Sequence, residues 1–278
     1  MLSLSESKPP EMNICDALRT EADMDKTVTA WAQEREFMNN NPSVDRFFRM
    51  LQNWQNGAWS STVDHADNRS KYGKEIWGTI SACKDRGAWT KSNATLYRGI
   101  HKTMREFSTM SIVLDGTVSG VGTVYFANNH YVNGRGVYQS KSPYQSWTEN
   151  ILRAQEFSKG LFIGKENSRS IEMIMNYKPP ADQTLVVHRL RVLSAMQGEQ
   201  EVMVYAPSPI RVNVGVKASD IVRCCLEGYP QILKFSLLRN LLGQVNALKF
   251  IDMVNKNIGM RKELEKDWDM DIVFDMNK

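Results

Sequence analysis

Ile210-Arg211-Val212-Asn213-Val214-Gly215-Val216-Lys217 decides the fold class, because its apolar residues fall on every second position. Successive side chains of a strand point to opposite faces, so a period of two describes a half-buried strand. Ile210, Val212, Val214 and Val216 take the buried face here, and Arg211, Asn213 and Lys217 the wet one. Working outward, shorter β-type runs are expected at 111–114, 122–126, 171–175, 184–193 and 201–205. Pro179-Pro180 marks a turn between the third and fourth of these. A single helix is expected among them, over 148–158. The strands do not alternate regularly with helices, which argues against a doubly wound sheet and for a mostly antiparallel α+β core.

The period changes on either side of this zone. Val44, Phe47, Phe48, Leu51 and Trp54 follow the i, i+3, i+4, i+7 spacing of one helix face, with Ser43 placed to cap the start and Gly57 just beyond the end. Tyr72, Ile76, Ile80 and Cys83 mark a second helix that stops near Gly87. An aromatic stripe at helical spacing predicts core rather than a ligand box. Past residue 229, Leu233, Leu237, Leu241, Val245 and Leu248 predict another helix. That stripe would pack on the chain's own body, a partner protein being the alternative. Residues 262–278 are charged and fit helix or strand equally. The chain thus divides into a helical N-terminal region (1–92), a core (93–223) and a helical C-terminal extension (224–278).

Composition narrows the function classes. A chain of 278 residues can bury one sizeable core or two small ones. Its 35 basic and 31 acidic residues are scattered, so a mixed solvated surface is expected and direct nucleic-acid binding is not. Cys15, Cys83, Cys224 and Cys225 contain no CxxC, and an adjacent pair suits neither a zinc knuckle nor an ordinary disulfide. A reduced, cytoplasmic environment is the simplest expectation. The first residues lack the charged and apolar regions of a signal peptide, and no apolar run approaches the roughly 20 residues that span a bilayer, so no membrane is expected. His65, His101, His130 and His188 have no metal-ligand spacing, and no metal is expected. Gly120-Val121-Gly122 and Gly134-Arg135-Gly136 are too short for phosphate loops and read as flexible turns. A Rossmann crevice is not indicated.

Three places can carry chemistry. In Glu199-Gln200-Glu201 the two carboxylates would point to one side if the stretch were extended, and their mutual repulsion would favour one as a base. A solvated turn is the plainer reading. In Thr95-Leu96-Tyr97-Arg98-Gly99 an arginine stands inside an apolar run, where its planar fork fits phosphate or carboxylate; a structural ion pair is the alternative. In Ser146-Trp147-Thr148 two hydroxyls alternate on an extended segment entering a helix. They could orient a carboxylate, or Thr148 could cap the helix, and both can hold.

Taken in order, the three resemble the R-S-E class of mono-ADP-ribosyltransferases. Leu96-Tyr97-Arg98-Gly99 is similar to the first-strand arginine motif, Ser146-Trp147-Thr148 to the Ser-Thr-Ser motif, and Glu199-Gln200-Glu201 to the Glu-x-Glu motif. Glu-Gln-Glu-Val-Met is particularly close to the host-modifying ADP-ribosyltransferases of T-even bacteriophages. The resemblance covers residues 93–216 and leaves the helical flanks unexplained. One departure is Trp147, where that family usually carries a small residue.

The resemblance implies a core of two packed, mostly antiparallel sheets with flanking helices, and NAD as substrate. It implies that Arg98 clamps the anionic part of NAD, with Tyr97, Gly99, Ser146 and Thr148 beside it. Ser146 would hold Glu201, Glu201 would stabilise charge on the ribose, and Glu199 would handle the acceptor. Glu-x-Glu is associated with arginine acceptors, so the implied partner is a protein carrying an arginine, with host RNA polymerase or translation proteins foremost. The implied location is the host cytoplasm, with delivery in the virion as one route. Rival readings are an NAD glycohydrolase with the same site and a non-enzymatic virion or interaction protein.

Overall fold

Among the described residues, five α-helices precede the first strand: α1 (Ile14–Ala17), α2 (Glu21–Gln33), α3 (Arg35–Asn40), α4 (Pro42–Asn56) and α5 (His65–Ala82). They are seen in a computed structural model that describes residues 11–56, 65–103, 112–126, 129–140, 142–159, 170–192, 198–217 and 220. The chain forms two compact units that are not contiguous in sequence. The first draws on residues up to 92, 142–145 and 180–205; the second takes 93–141, 146–179 and those from 206.

In the first unit the apolar stripe of α4 is buried along its length, with Val44, Phe47, Phe48, Leu51 and Trp54 each at most 3% exposed. Ile14, Leu18, Met24, Ile76 and Ile80 complete that core, joined by Leu185, Leu190 and Met203 from much later in the chain. Pro42 opens α4, a position where its missing N–H costs nothing. Ser43 therefore lies inside the helix and is not its cap; its hydroxyl donates to the carbonyl of Met12. Thr20 caps α2 by accepting the N–H of Asp23 at 3.1 Å. Cys15, on α1, and Cys83, just past α5, form a disulfide. This corrects the expectation of reduced cysteines: the two that pair stand 68 residues apart in sequence, and only the packing of α1 beside the end of α5 brings them together.

Two short strands belong to the same unit. β6 (Thr184–Val186) pairs antiparallel with β7 (Glu201–Tyr205), Val186 lying opposite Val202. The strand expected over 184–193 ends early, because a 3₁₀ turn at Val187–Leu190 sends Val187 and Leu190 into the core. Arg191 follows in the left-handed region at φ 54°. β4 (Tyr144–Thr148) begins in this unit, where Tyr144 stacks on Tyr205 at 5.3 Å. Tyr205 in turn stacks on Trp77 at 5.1 Å, and the Arg86 guanidinium lies over Trp77.

The second unit is built on β1 (Leu96–Thr103), β2 (Ile112–Phe126), β3 (Asn129–Tyr138), β5 (Ser170–Tyr177) and β8 (Ile210–Lys217). They pair antiparallel in the order β2-β3-β8-β5-β1, and Thr148 of β4 lies opposite Tyr97 of β1. Within this unit the described strands make one sheet; two facing sheets are not seen among them. β8 shows the expected alternation, Ile210, Val212 and Val214 being buried and Arg211 and Asn213 exposed. Residues 112–114 and 122–126 of the two expected runs prove to be parts of one strand, β2, whose register against β3 shifts at irregularities near Val118 and Gly120, and Ser111 lies outside the described residues. Gly120-Val121-Gly122 and Gly134-Arg135-Gly136 are strand residues, not turns, Gly136 pairing with Leu114 and with Val212.

α6 (Ile151–Ser158) starts three residues later than expected. Its cap is Asn150, whose side-chain oxygen accepts the N–H of Leu152 at 2.9 Å. The core expected at 93–223 is thus shared: β6 and β7 cluster with the N-terminal helices, the remaining strands with the second unit. The extension expected at 224–278, Cys224, Cys225 and Gly57 lie outside the described residues. Among the described residues no helix is long and apolar enough to cross a membrane.

Candidate functional site

Arg98 sits on β1, half-buried, and its Nη1 donates to the carbonyl oxygen of Ser146 at 3.1 Å. The Tyr97–Thr148 pairing of β1 with β4 sets this distance, since it brings the neighbouring residues of both strands level. Tyr138, from β3, holds its ring 5.8 Å from the guanidinium carbon, and a cation over an aromatic face is favourable. The first two motifs, 48 residues apart, therefore stand together in the second unit.

Three of the surrounding residues have structural duties. Thr148 is buried, and its Oγ1 accepts the N–H of Asn150 at 3.0 Å, so it serves the turn before α6 and does not cap the helix itself. Gly99 lets α6 approach β1: a Cβ there would run into the backbone oxygen of Ala154 and stand 2.7 Å from the nitrogen of Ser158. His101 meets the carbonyl of Ser158, at the end of α6, through Nδ1 at 3.1 Å. That contact ties β1 to the C-terminal end of α6.

Glu201 opens β7 in the first unit and is 7% exposed. Its Oε1 accepts the indole N–H of Trp54 at 3.1 Å, and its Oε2 accepts the amide N–H of Gln55 at 3.4 Å. Its backbone oxygen meets Nδ1 of His188 at 3.2 Å. Burying a carboxylate is tolerable only with such donors. Glu199 lies in the tight turn before the strand, and Gln200 takes the left-handed conformation at φ 49°. The Glu-Gln-Glu stretch is thus kinked, not extended, and strand alternation does not align the two carboxylates. Ser146, expected to hold Glu201, belongs to the second unit, where its carbonyl serves Arg98.

Sequence reading missed Trp54, Gln55 and His188 as partners of Glu201. A signal existed for Trp54: a buried indole still has an N–H to satisfy, so its place in a core stripe already asked for an acceptor. Gln55, one residue on, left no mark in the pattern.

A hollow of about 320 Å³ in the first unit is bordered by Trp77, Ser81, Lys84, Arg86, Lys91 and Asp182. Burial draws the pKa of Arg86 below its usual value, partly offset by Asp182. Its guanidinium is engaged by the carbonyls of Thr184 and Asp182, and Lys91 pairs with the Asp182 carboxylate at 2.9 Å. These cations already have acceptors. Among the described residues no cluster of His, Cys, Asp and Glu is arranged to hold a metal ion.

The chain matches no protein-family model, no curated protein and no solved structure.

Proposed function

We propose that the chain is an NAD-dependent mono-ADP-ribosyltransferase that passes ADP-ribose to arginine side chains of a target protein and releases nicotinamide. The observation that carries this reading is the Arg98–Ser146 contact, which joins two of the three resembling motifs through strand pairing. The mixed helical and antiparallel-sheet architecture is compatible with it.

Nicotinamide leaves NAD as a neutral ring, so its departure needs no general acid. The developing difficulty is positive charge on the ribose as the glycosidic bond lengthens, as in glycoside cleavage. A carboxylate fixed beside the ribose stabilises that charge without reorganising. Glu201 takes this role, and its fixed donors keep the carboxylate in one orientation. Arg98 presents its remaining guanidinium donors to the pyrophosphate, with Tyr97 beside it. An arginine acceptor is protonated in water and a poor nucleophile. Glu199 draws off its proton as the guanidino nitrogen attacks the ribose carbon. The target is a host protein, with RNA polymerase or translation proteins foremost.

The test is incubation of the full chain with NAD and an arginine-bearing acceptor, reading ADP-ribosyl-arginine by mass spectrometry and nicotinamide release in parallel. Glu201→Gln should lower both at least about 100-fold. Glu199→Gln should suppress transfer while sparing NAD hydrolysis; equal loss of both would refute the division of labour. Free ADP-ribose alone, with no modified arginine, would identify a glycohydrolase. No NAD-dependent product from the unaltered chain would sink the enzyme reading and leave an interaction protein.

A further inference from the structure

From the bonds at Glu201 we infer that Trp54 and Gln55, on the last turn of α4, are positioning residues for the carboxylate that stabilises the ribose. The inference rests on the transferase reading and adds to it a part of the molecule that the resemblance does not reach, since α4 lies outside residues 93–216. Two donors from adjacent residues take the two oxygens of one carboxylate, across 147 and 146 residues of sequence. Binding both oxygens fixes the position of the group and also the plane of the carboxylate. One bond would leave that plane free to turn.

The Gln55 amide shows a cost borne for this arrangement. Gln55 is 4% exposed, and its Oε1 is buried without a hydrogen-bond partner. A buried acceptor left unsatisfied is destabilising, and most are paired in folded proteins. Turning the amide over would set its oxygen against the Glu201 carboxylate, two acceptors facing each other. The observed orientation spends its N–H on Glu201 and leaves the oxygen unpaired. A side chain present only to fill space would be served as well by an apolar group of the same size. Trp54 repeats the pattern: its ring belongs to the core stripe of α4, but its one polar atom is directed at Glu201.

Glu201 enters β7 straight after the left-handed residue Gln200, and its own backbone oxygen is engaged by His188. The strand start is thus tied at the main chain by His188 and at the side chain by α4. Fixed geometry of this kind lowers the barrier to the chemical step more than it aids binding, because it matters most where charge develops.

The experiment measures nicotinamide release from NAD by the full chain, for Trp54→Phe, Gln55→Leu and, as a comparator from the same helix, Phe48→Leu. Thermal unfolding gives the folded fraction of each. Trp54→Phe and Gln55→Leu should each lower kcat about tenfold per folded molecule, with KM for NAD within about twofold. Phe48→Leu should lose stability and keep kcat per folded molecule. Should Trp54→Phe fail to fold, Gln55→Leu carries the same test. Unchanged kcat in the folded variants, with the unaltered chain active, overturns the positioning role alone. A KM effect without a kcat effect does the same. An unaltered chain that releases no nicotinamide overturns the transferase reading, and this inference with it.

Discussion

The Arg98 guanidinium on β1 donates to the Ser146 carbonyl on β4 at 3.1 Å, beneath the face of Tyr138. One nitrogen of the fork is thereby spent on holding the strand beside it, and the others keep their charge and direction. An arginine so anchored costs less to order around an anion than a free one does.

Arg98→Lys tests this directly. Lysine keeps the charge but loses the planar fork, so it cannot serve the carbonyl and an anion in the same way. KM for NAD should rise about tenfold, equivalent to about 1.4 kcal/mol of binding. The unfolding temperature should fall modestly with the bond to Ser146 weakened. Steady-state kinetics with NAD as the varied substrate would show a weak or absent KM effect if Arg98 is only a structural tether.

Gly99 should prove intolerant of any side chain. A Cβ at this position collides with the backbone of α6 at Ala154, which cannot swing away as a side-chain tip could. Gly99→Ala should cost about 1–3 kcal/mol, as overpacking of a closed core does. Urea unfolding of the two proteins would measure it. An equal stability would mean that α6 can slide on β1.

The Cys15–Cys83 disulfide closes 68 residues of chain that include α2, α3, α4 and most of the first unit's helical core. Closing a loop of that length restricts the unfolded chain, a stabilisation of about 2–4 kcal/mol. Cys15→Ser or added reductant should lower the denaturant midpoint accordingly. An unchanged midpoint in reductant would show that the helices hold without the bridge.

Acid should weaken α4 through Asp45. Burial pushes this carboxyl up, but the side-chain bonds from Arg49 and Trp31, both at 2.8 Å, outweigh it, and the net pKa lies below the ordinary value. A carboxyl lowered on folding stabilises fully above its unfolded pKa of about 3.9, and that contribution disappears as pH falls through the lower folded value. Asp45→Asn should be less stable than the unaltered chain at neutral pH, and the gap should close below about pH 4. Unfolding midpoints across that range would show it; a gap independent of pH would assign the effect to packing.

Legibility followed periodicity closely. The α4 stripe and the β8 alternation were readable because burial on one face leaves a repeat in the sequence, and both faces lie as the repeat requires. β3 was not readable, since Gly134 and Gly136 look like a turn until a partner strand on each side supplies their hydrogen bonds. The site divides in the same manner. Arg98 and Ser146 stood out as polar residues in apolar or extended surroundings. The indole of Trp54 asked for an acceptor, but that Glu201 supplies it, and the hold of Gln55 altogether, were invisible, because both depend on β7 joining helices that precede it by well over a hundred residues. The kink at Gln200 was hidden too, glutamine having no special liking for a positive φ.

The bridge between Cys15 and Cys83 also bears on how the protein would respond to cutting. A protease that severed the backbone once anywhere between the two sulfurs would leave the fragments covalently joined. The nicked chain would travel as one species on a non-reducing gel and fall into two pieces in thiol. Counting intact molecules after proteolysis would therefore give two different answers, depending on whether the sample buffer contained reductant.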